Sequence, residues 1–302
     1  MSDFLMTTDL GADGLSVVLD LAAAVKTDRD TYRGRLAGST VGLFFEKPST
    51  RTRVSCEVAC VDLGAHPVVL KADEVGLGKR EAVQDVARTL DRYLDVLAFR
   101  VFDHANLDVL ADHAAAPVIN LLSDRSHPCQ ALADLQTIAE NRKLAGTTLA
   151  YVGDGNNVCH SLMLAGAMAG LHIRVTGPAG FEPDGAVTAK ASGLAASSGG
   201  SITVTDDLAE AVGGADVVYT DVWASMGQEE EAAERRHQFA GYQIDETVFS
   251  TAASDAIFLH CLPAHRGEEV TEGVLEHQRS RVFDQAENRL HSFKALLLHL
   301  TS

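Results

Sequence analysis

The stretch Phe44-Phe45-Glu46-Lys47-Pro48-Ser49-Thr50-Arg51-Thr52-Arg53 carries the chain from an apolar run into a basic, hydroxyl-rich turn. Val41-Gly42-Leu43-Phe44-Phe45 predicts a short buried strand. Arg51 to Leu63 predicts a helix, with Val54, Val58 and Val61 recurring at helical spacing. A strand that ends in hydroxyl residues and opens a helix presents free backbone N–H groups and the positive end of the helix dipole. Basic residues are disfavoured beside that end, so Arg51 and Arg53 there call for an anion, and their forked donors suit phosphate oxygens. The stretch reads as a phosphate-capture site. The competing reading, a capped helix with a solvated basic first turn, leaves the two arginines without a reason.

Working outward, 302 residues leave room for two domains with substantial cores. The 42 acidic against 25 basic side chains give a net charge of −17, which argues against a nucleic-acid or anionic-membrane surface as partner. An acidic chain that takes an anion must gather its positive charge locally, which makes the arginine cluster more informative. No leader or membrane-spanning run is evident, and Cys56, Cys60, Cys129, Cys159 and Cys261 are odd in number and unpatterned. Disulfides and structural zinc are therefore not expected, and a reducing cytoplasmic compartment is.

Along the chain, Leu15 to Lys26 predicts an amphipathic helix with Asp13 as its cap. Pro67 to Leu70 predicts a second strand and Lys71 to Arg80 a mobile loop. Helix Glu81 to Tyr93, strand Leu94 to Phe99, helix Leu107 to Ala115 and strand Pro117 to Leu122 complete a β-α alternation, the pattern of a parallel sheet covered on both faces. A second alternation starts at strand Thr148 to Val152 and runs through strands at 173–176, 202–205, 217–220 and 256–259. The expected boundary lies at 141–146, giving domains of residues 1–140 and 147–284, with a last helix in 285–302 packing back on the first.

Ligands of open α/β sheets sit at the carboxyl ends of the strands. Ser49 to Arg53, Arg100, and His127-Pro128-Cys129-Gln130 all follow strand ends, so they are expected to converge on one ligand. Gly153-Asp154-Gly155 after a strand invites a dinucleotide reading, but Val158 stands where that fingerprint needs a small residue. The turn is expected instead to expose Asn156 and Asn157. Asp221 before Ser225-Met226-Gly227 reads either as a cap before a surface turn or as the partner of an amino-acid substrate. Cys261 beside His260 is either a buried inert thiol or a thiol with polar company, and chemistry alone leaves both readings open.

Together, Ser49-Thr50-Arg51-Thr52-Arg53, Arg100, His127-Pro128-Cys129-Gln130, Asp221-x-Trp223-x-Ser225-Met226-Gly227 and His260-Cys261-Leu262-Pro263 resemble the ornithine carbamoyltransferases, nearly end to end. Ser49-Thr50-Arg51-Thr52-Arg53 and His127-Pro128-x-Gln130 resemble the whole transcarbamoylase superfamily, and the last two segments point to ornithine. The resemblance implies a cytoplasmic homotrimer of two-domain α/β chains. Each domain would be a parallel sheet flanked by helices, with the active site in the cleft between them and near subunit interfaces. It implies transfer of a carbamoyl group from carbamoyl phosphate to the δ-amine of L-ornithine in arginine biosynthesis, with no cofactor and no metal. By motif, Ser49, Thr50, Arg51, Thr52, Gly76, Arg100, His127, Pro128, Cys129, Gln130, Cys261, Leu262 and Arg289 would stand at the carbamoyl-phosphate site. Asn157, Asp221, Ser225 and Met226 would hold ornithine. Arg100, His127, Asp221 and Cys261 would act in catalysis, with His260 or Glu268 behind them.

The chain departs from the family at Gly76, where a glutamine usually reaches across the trimer interface to a neighbour's carbamoyl phosphate. Either Lys79 or Arg80 substitutes, or the donor site is weaker and its KM is raised. Leu121 is a second departure, since the family tends to have a small residue there. A transcarbamoylase for another amine and a non-catalytic regulatory homologue are the alternatives.

Overall fold

The structure, a computed structural model, describes residues 3–224 and 231–301. The chain divides into two compact units, Met1–Gln136 with Glu287–Ser302, and Thr137–Ala286. The first unit holds strands β1 (Thr40–Phe45), β2 (His66–Lys71), β3 (Val96–Arg100) and β4 (Val118–Leu122). All pair in parallel, in the order β2-β1-β3-β4. The second unit holds β5 (Thr148–Val152), β6 (His172–Thr176), β7 (Ser201–Thr205), β8 (Val217–Thr220) and β9 (Ile257–His260). These are also parallel, in the order β7-β6-β5-β8-β9.

Both orders reverse direction once. The reversal falls between β1 and β3 in the first sheet and between β5 and β8 in the second. There the crossovers leave on opposite faces, and a crevice opens at the strands' carboxyl ends. A cross-strand aromatic pair floors each reversal. Phe44 stacks on Phe99 with centroids 4.9 Å apart, and Tyr151 on Tyr219 at 5.7 Å. Both pairs are register partners, and all four rings are fully buried.

Several expectations shift. The first long helix is Gly11–Thr27, entered through a turn at Thr7–Leu10, so Asp13 lies in its first turn and is not its cap. The expected mobile loop contains a helix, Ala72–Val75, closed by Gly76 and followed by a bridge between Leu77 and Glu81. Short helices at Glu246–Ser250 and Glu272–Leu275 were not legible. The helix after β1, Thr50–Leu63, buries Thr52, Cys56, Ala59, Cys60 and Leu63. Val54, Val58 and Val61 share its opposite face and are 54%, 40% and 63% exposed. Helical spacing placed the helix, while the face the valines take is set by the packing. Among the described residues no helix is long and apolar enough to cross a membrane.

Candidate active site

In the first unit, Ser49 caps helix Thr50–Leu63, its hydroxyl accepting the Thr52 N–H at 3.2 Å. This fixes Thr52 one turn in, buried beside the end of β3. The Thr52 hydroxyl accepts from Arg289 Nη2 at 3.2 Å and from Arg100 Nη1 at 3.5 Å. A hydroxyl has two acceptor lone pairs, so both are used and its hydrogen is left to point at a third group. Arg289 Nη1 donates to Gln130 Oε1 at 2.6 Å, and Gln130 Nε2 donates to Asp134 Oδ1 at 2.8 Å. Thr52, Arg100, His127, Gln130 and Arg289 are all buried. Two guanidinium groups sharing one hydroxyl in a dry site repel each other, and an anion among them relieves that cost.

His127 sits just before helix Pro128–Asn141. Burial, then the charges of Arg289, Arg100 and Arg51, push its pKa well below the ordinary histidine value. It is therefore a neutral imidazole at working pH. The turn leading to it is tied down locally: Ser123 N–H donates to the Ser126 carbonyl at 2.9 Å, and Asn120 Nδ2 to the Leu5 carbonyl at 2.9 Å. Cys129 points inward, its thiol 3.4 Å from the Asn120 carbonyl, and burial pushes its pKa up to about 12. Leu121 is accommodated as a fully buried core residue. Gly76 lies at φ +65°, and a Cβ there would meet Arg80 Cβ at 2.6 Å. Glycine is what this turn admits.

In the second unit, register does the placing. Val152, Thr220 and His260 end β5, β8 and β9 at one level, so Gly153, Asp221 and Cys261 follow side by side. The Cys261 thiol lies 2.9 Å from Asp221 Oδ1, which also accepts the Val222 N–H at 2.8 Å. Asn156 Nδ2 donates to Asp221 Oδ2 at 3.1 Å, while its Oδ1 caps helix Asn157–Met168 by accepting from Val158 and Cys159. Asn156 thus braces Asp221, a role the sequence did not single out. Asn157 begins that helix, half-buried. The glycines of the turn have a packing reason: a Cβ on Gly155 would fall 2.3 Å from Pro183 N.

Behind Cys261, His260 Nδ1 accepts the Leu262 N–H at 2.8 Å, so its proton lies on Nε2 and goes to Glu269 Oε1 at 3.0 Å. His260 and Glu269 are fully buried. The expected partner Glu268 is instead 3.0 Å from Arg236 on a more open face. Leu262 sits at φ 57°, a conformation that a leucine holds at about 1–3 kcal/mol of strain, and its bond to Pro263 is cis. Arg235, also missed, bonds Asp154 at 2.9 Å and the Trp223 carbonyl at 3.0 Å. Only its place in the charged run after the SMG segment could have flagged it. Ser225, Met226 and Gly227 lie outside the described residues. Asp221, His260 and Cys261 offer ligand atoms within 4.8 Å of one another, as do His265, Glu268 and Glu269. By ligand type either set would suit a divalent cation such as zinc, but both are already knit by hydrogen bonds.

This is an α/β protein of two doubly wound parallel units. One has buried cations around a neutral histidine at its reversal; the other has a carboxylate beside a thiol. Residues 2–140 match the carbamoyl-P binding domain of aspartate/ornithine carbamoyltransferase, and residues 145–300 match its Asp/Orn binding domain. The chain belongs to the aspartate/ornithine carbamoyltransferase family. It is 54% identical over 298 residues to the ornithine carbamoyltransferase of Acidothermus cellulolyticus, covering 98% of this chain and 96% of the relative. The structure of ornithine carbamoyltransferase from Pyrococcus furiosus superposes with a TM-score of 0.95 at 49% identity, over 98% of this chain and 96% of that one. An acetylornithine transcarbamylase complexed with acetylcitrulline superposes at 0.90 with 29% identity, over 99% of both chains.

Proposed function

We propose that the chain transfers the carbamoyl group of carbamoyl phosphate to the δ-amine of L-ornithine, giving L-citrulline and phosphate, as an arginine-biosynthetic ornithine carbamoyltransferase. The observation that carries this reading is the buried set Thr52, Arg100 and Arg289 around neutral His127, on the part of the chain that matches the carbamoyl-P binding domain.

The phosphate is held by the helix start at Ser49 to Thr52 together with Arg51, Arg100 and Arg289. The carbamoyl oxygen takes its hydrogen bonds from the Thr52 hydroxyl, Arg100 and His127. Neutral His127 donates one N–H without adding a charge to an already cationic pocket. As the amine attacks, charge grows on that oxygen, and donors fixed in advance stabilise it most where water is excluded. Phosphate leaves as an anion into the arginines.

On the acceptor side, Asp221, Asn157, Ser225 and Met226 hold ornithine, with Cys261 beside Asp221. Asp221 attracts the ammonium, and its carboxylate beside the Cys261 thiol is the acceptor placed to take the amine's proton. The working assembly is a homotrimer. The exposed stripe Val54, Val58 and Val61 supports this, since an apolar helix face left in water by one chain suits a second copy.

The test is citrulline formation from carbamoyl phosphate, with ornithine, lysine, putrescine and N-acetylornithine offered as acceptors. A strong preference for ornithine is expected. Preference for another amine would overturn the acceptor assignment, and no turnover in folded protein would overturn the reaction.

A further inference from the structure

The buried carboxylate of Asp134 lies one helical turn beyond Gln130, on the same face of helix Pro128–Asn141. It lies outside the His127-Pro128-Cys129-Gln130 motif and is joined to the arginines through Gln130. Yet the amide between them has only one consistent orientation. A carboxylate can only accept, so the Gln130 face at 2.8 Å from Asp134 must be the N–H face. A guanidinium can only donate, so the face at 2.6 Å from Arg289 must be the carbonyl. Turned over, the same amide would set donor against donor on one side and acceptor against acceptor on the other. Asp134 therefore decides which way Gln130 points, and Gln130 decides where the Arg289 fork rests. The other arm of that fork holds the Thr52 hydroxyl.

We propose that Asp134 is a positioning residue for the donor site. Through Gln130 its carboxylate locks Arg289 onto Thr52, presetting the cationic cluster for a phosphate-bearing ligand. This deepens the reading of the first unit as the carbamoyl-phosphate site and rests on it. Burial fits the role. A carboxylate and two guanidinium groups are each costly in a dry interior, and a continuous hydrogen-bonded chain from one to the other offsets part of that cost. The chain Asp134–Gln130–Arg289–Thr52–Arg100 is such a path, and every side chain in it is buried.

The experiment is a double-mutant cycle with Asp134→Asn and Gln130→Ala, reading binding of inorganic phosphate and of carbamoyl phosphate by calorimetry, and KM for both substrates by turnover. Asp134→Asn is nearly isosteric and can keep an acceptor towards Gln130, but its amide can also turn and lose the lock. It is expected to weaken phosphate and carbamoyl phosphate by several-fold, and Asp134→Leu by roughly 10-fold or more, the scale of a lost charge-assisted hydrogen bond. KM for ornithine should stay within about twofold, because a positioning role here acts on donor binding. In the Gln130→Ala background, Asp134→Asn should have no further effect on phosphate affinity. Additive losses in the cycle, equal losses for both substrates, or a folded Asp134→Leu protein with wild-type phosphate affinity would each overturn the proposal. Wild-type protein that binds phosphate but makes no citrulline would sink the proposed reaction while the cycle still judged Asp134.

Discussion

Lowering the pH should unfold this protein partly through His127. In the folded state its pKa is well below the ordinary value, from burial first and then from Arg289, Arg100 and Arg51. In the unfolded chain it takes a proton near pH 6.5. Above that pH both states hold a neutral imidazole and its contribution is complete. Below it the unfolded state binds a proton that the folded state refuses, so stability falls by about 1.4 kcal/mol per pH unit from this residue alone. His104 and His291, both buried with lowered pKa values, act with the same sign. Urea denaturation of wild type and His127→Gln between pH 5 and 8, followed by circular dichroism, isolates the effect. The wild-type curve should fall more steeply than the variant's below pH 6.5, by about 1.4 kcal/mol per unit. Parallel curves would refute the reasoning, since they would mean His127 takes its proton equally in both states.

At the alkaline end the buried thiols bring the opposite limit: burial raises Cys60 and Cys129 to about 12, so the unfolded chain ionises first and stability should fall as pH rises above about 9. A Cys129→Ala variant whose alkaline slope matched wild type would count against Cys129's share. Thr52→Val keeps shape but strands two guanidinium donors, and should raise KM for carbamoyl phosphate roughly 10- to 100-fold with little change for ornithine. Val61→Asp, on the exposed stripe, should leave the fold's secondary structure intact and shift sedimentation from trimer to monomer; an intact trimer would remove the stripe from the interface. Gly76→Gln should cost about 1–3 kcal/mol, because it puts a side chain at φ +65° and against Arg80, so a Tm measured beside KM must separate strain from any gain in donor binding.

What the sequence made legible follows from where its punctuation falls. The strands that lead to Ser49, Arg100 and Asp221 were readable because short apolar runs stop abruptly at polar residues, and a parallel sheet needs little more than that alternation. The strand order was not readable. The reversal between β1 and β3, and between β5 and β8, selects which strand ends face a crevice, and it depends on pairings between segments distant in sequence. The buried face of helix Thr50–Leu63 was not readable for a different reason. Hydrophobicity alone cannot separate an apolar side packed in the core from one left for a partner, and here the core took cysteines and alanine while the valines went outward.

Glu268 and Glu269 make the sharpest case. They are adjacent and chemically alike, yet one pairs with Arg236 while the other is wholly buried against His260. Composition cannot choose between them. The choice is made by the bridges that join Val270 to Ile244 and to Arg266, which turn Glu269 inward towards the end of β9. The Gln130–Asp134 bond lies between these extremes. Its spacing of one helical turn was on the page in the sequence, but a glutamine and an aspartate on one helix face are ordinary surface residues until their burial is known. Burial converts that spacing into a constraint. In water either orientation of the amide is acceptable, whereas between a buried carboxylate and a buried guanidinium only one is. Side-chain identity thus proposes the donors and acceptors of this site, and the loss of water determines which of their arrangements survives.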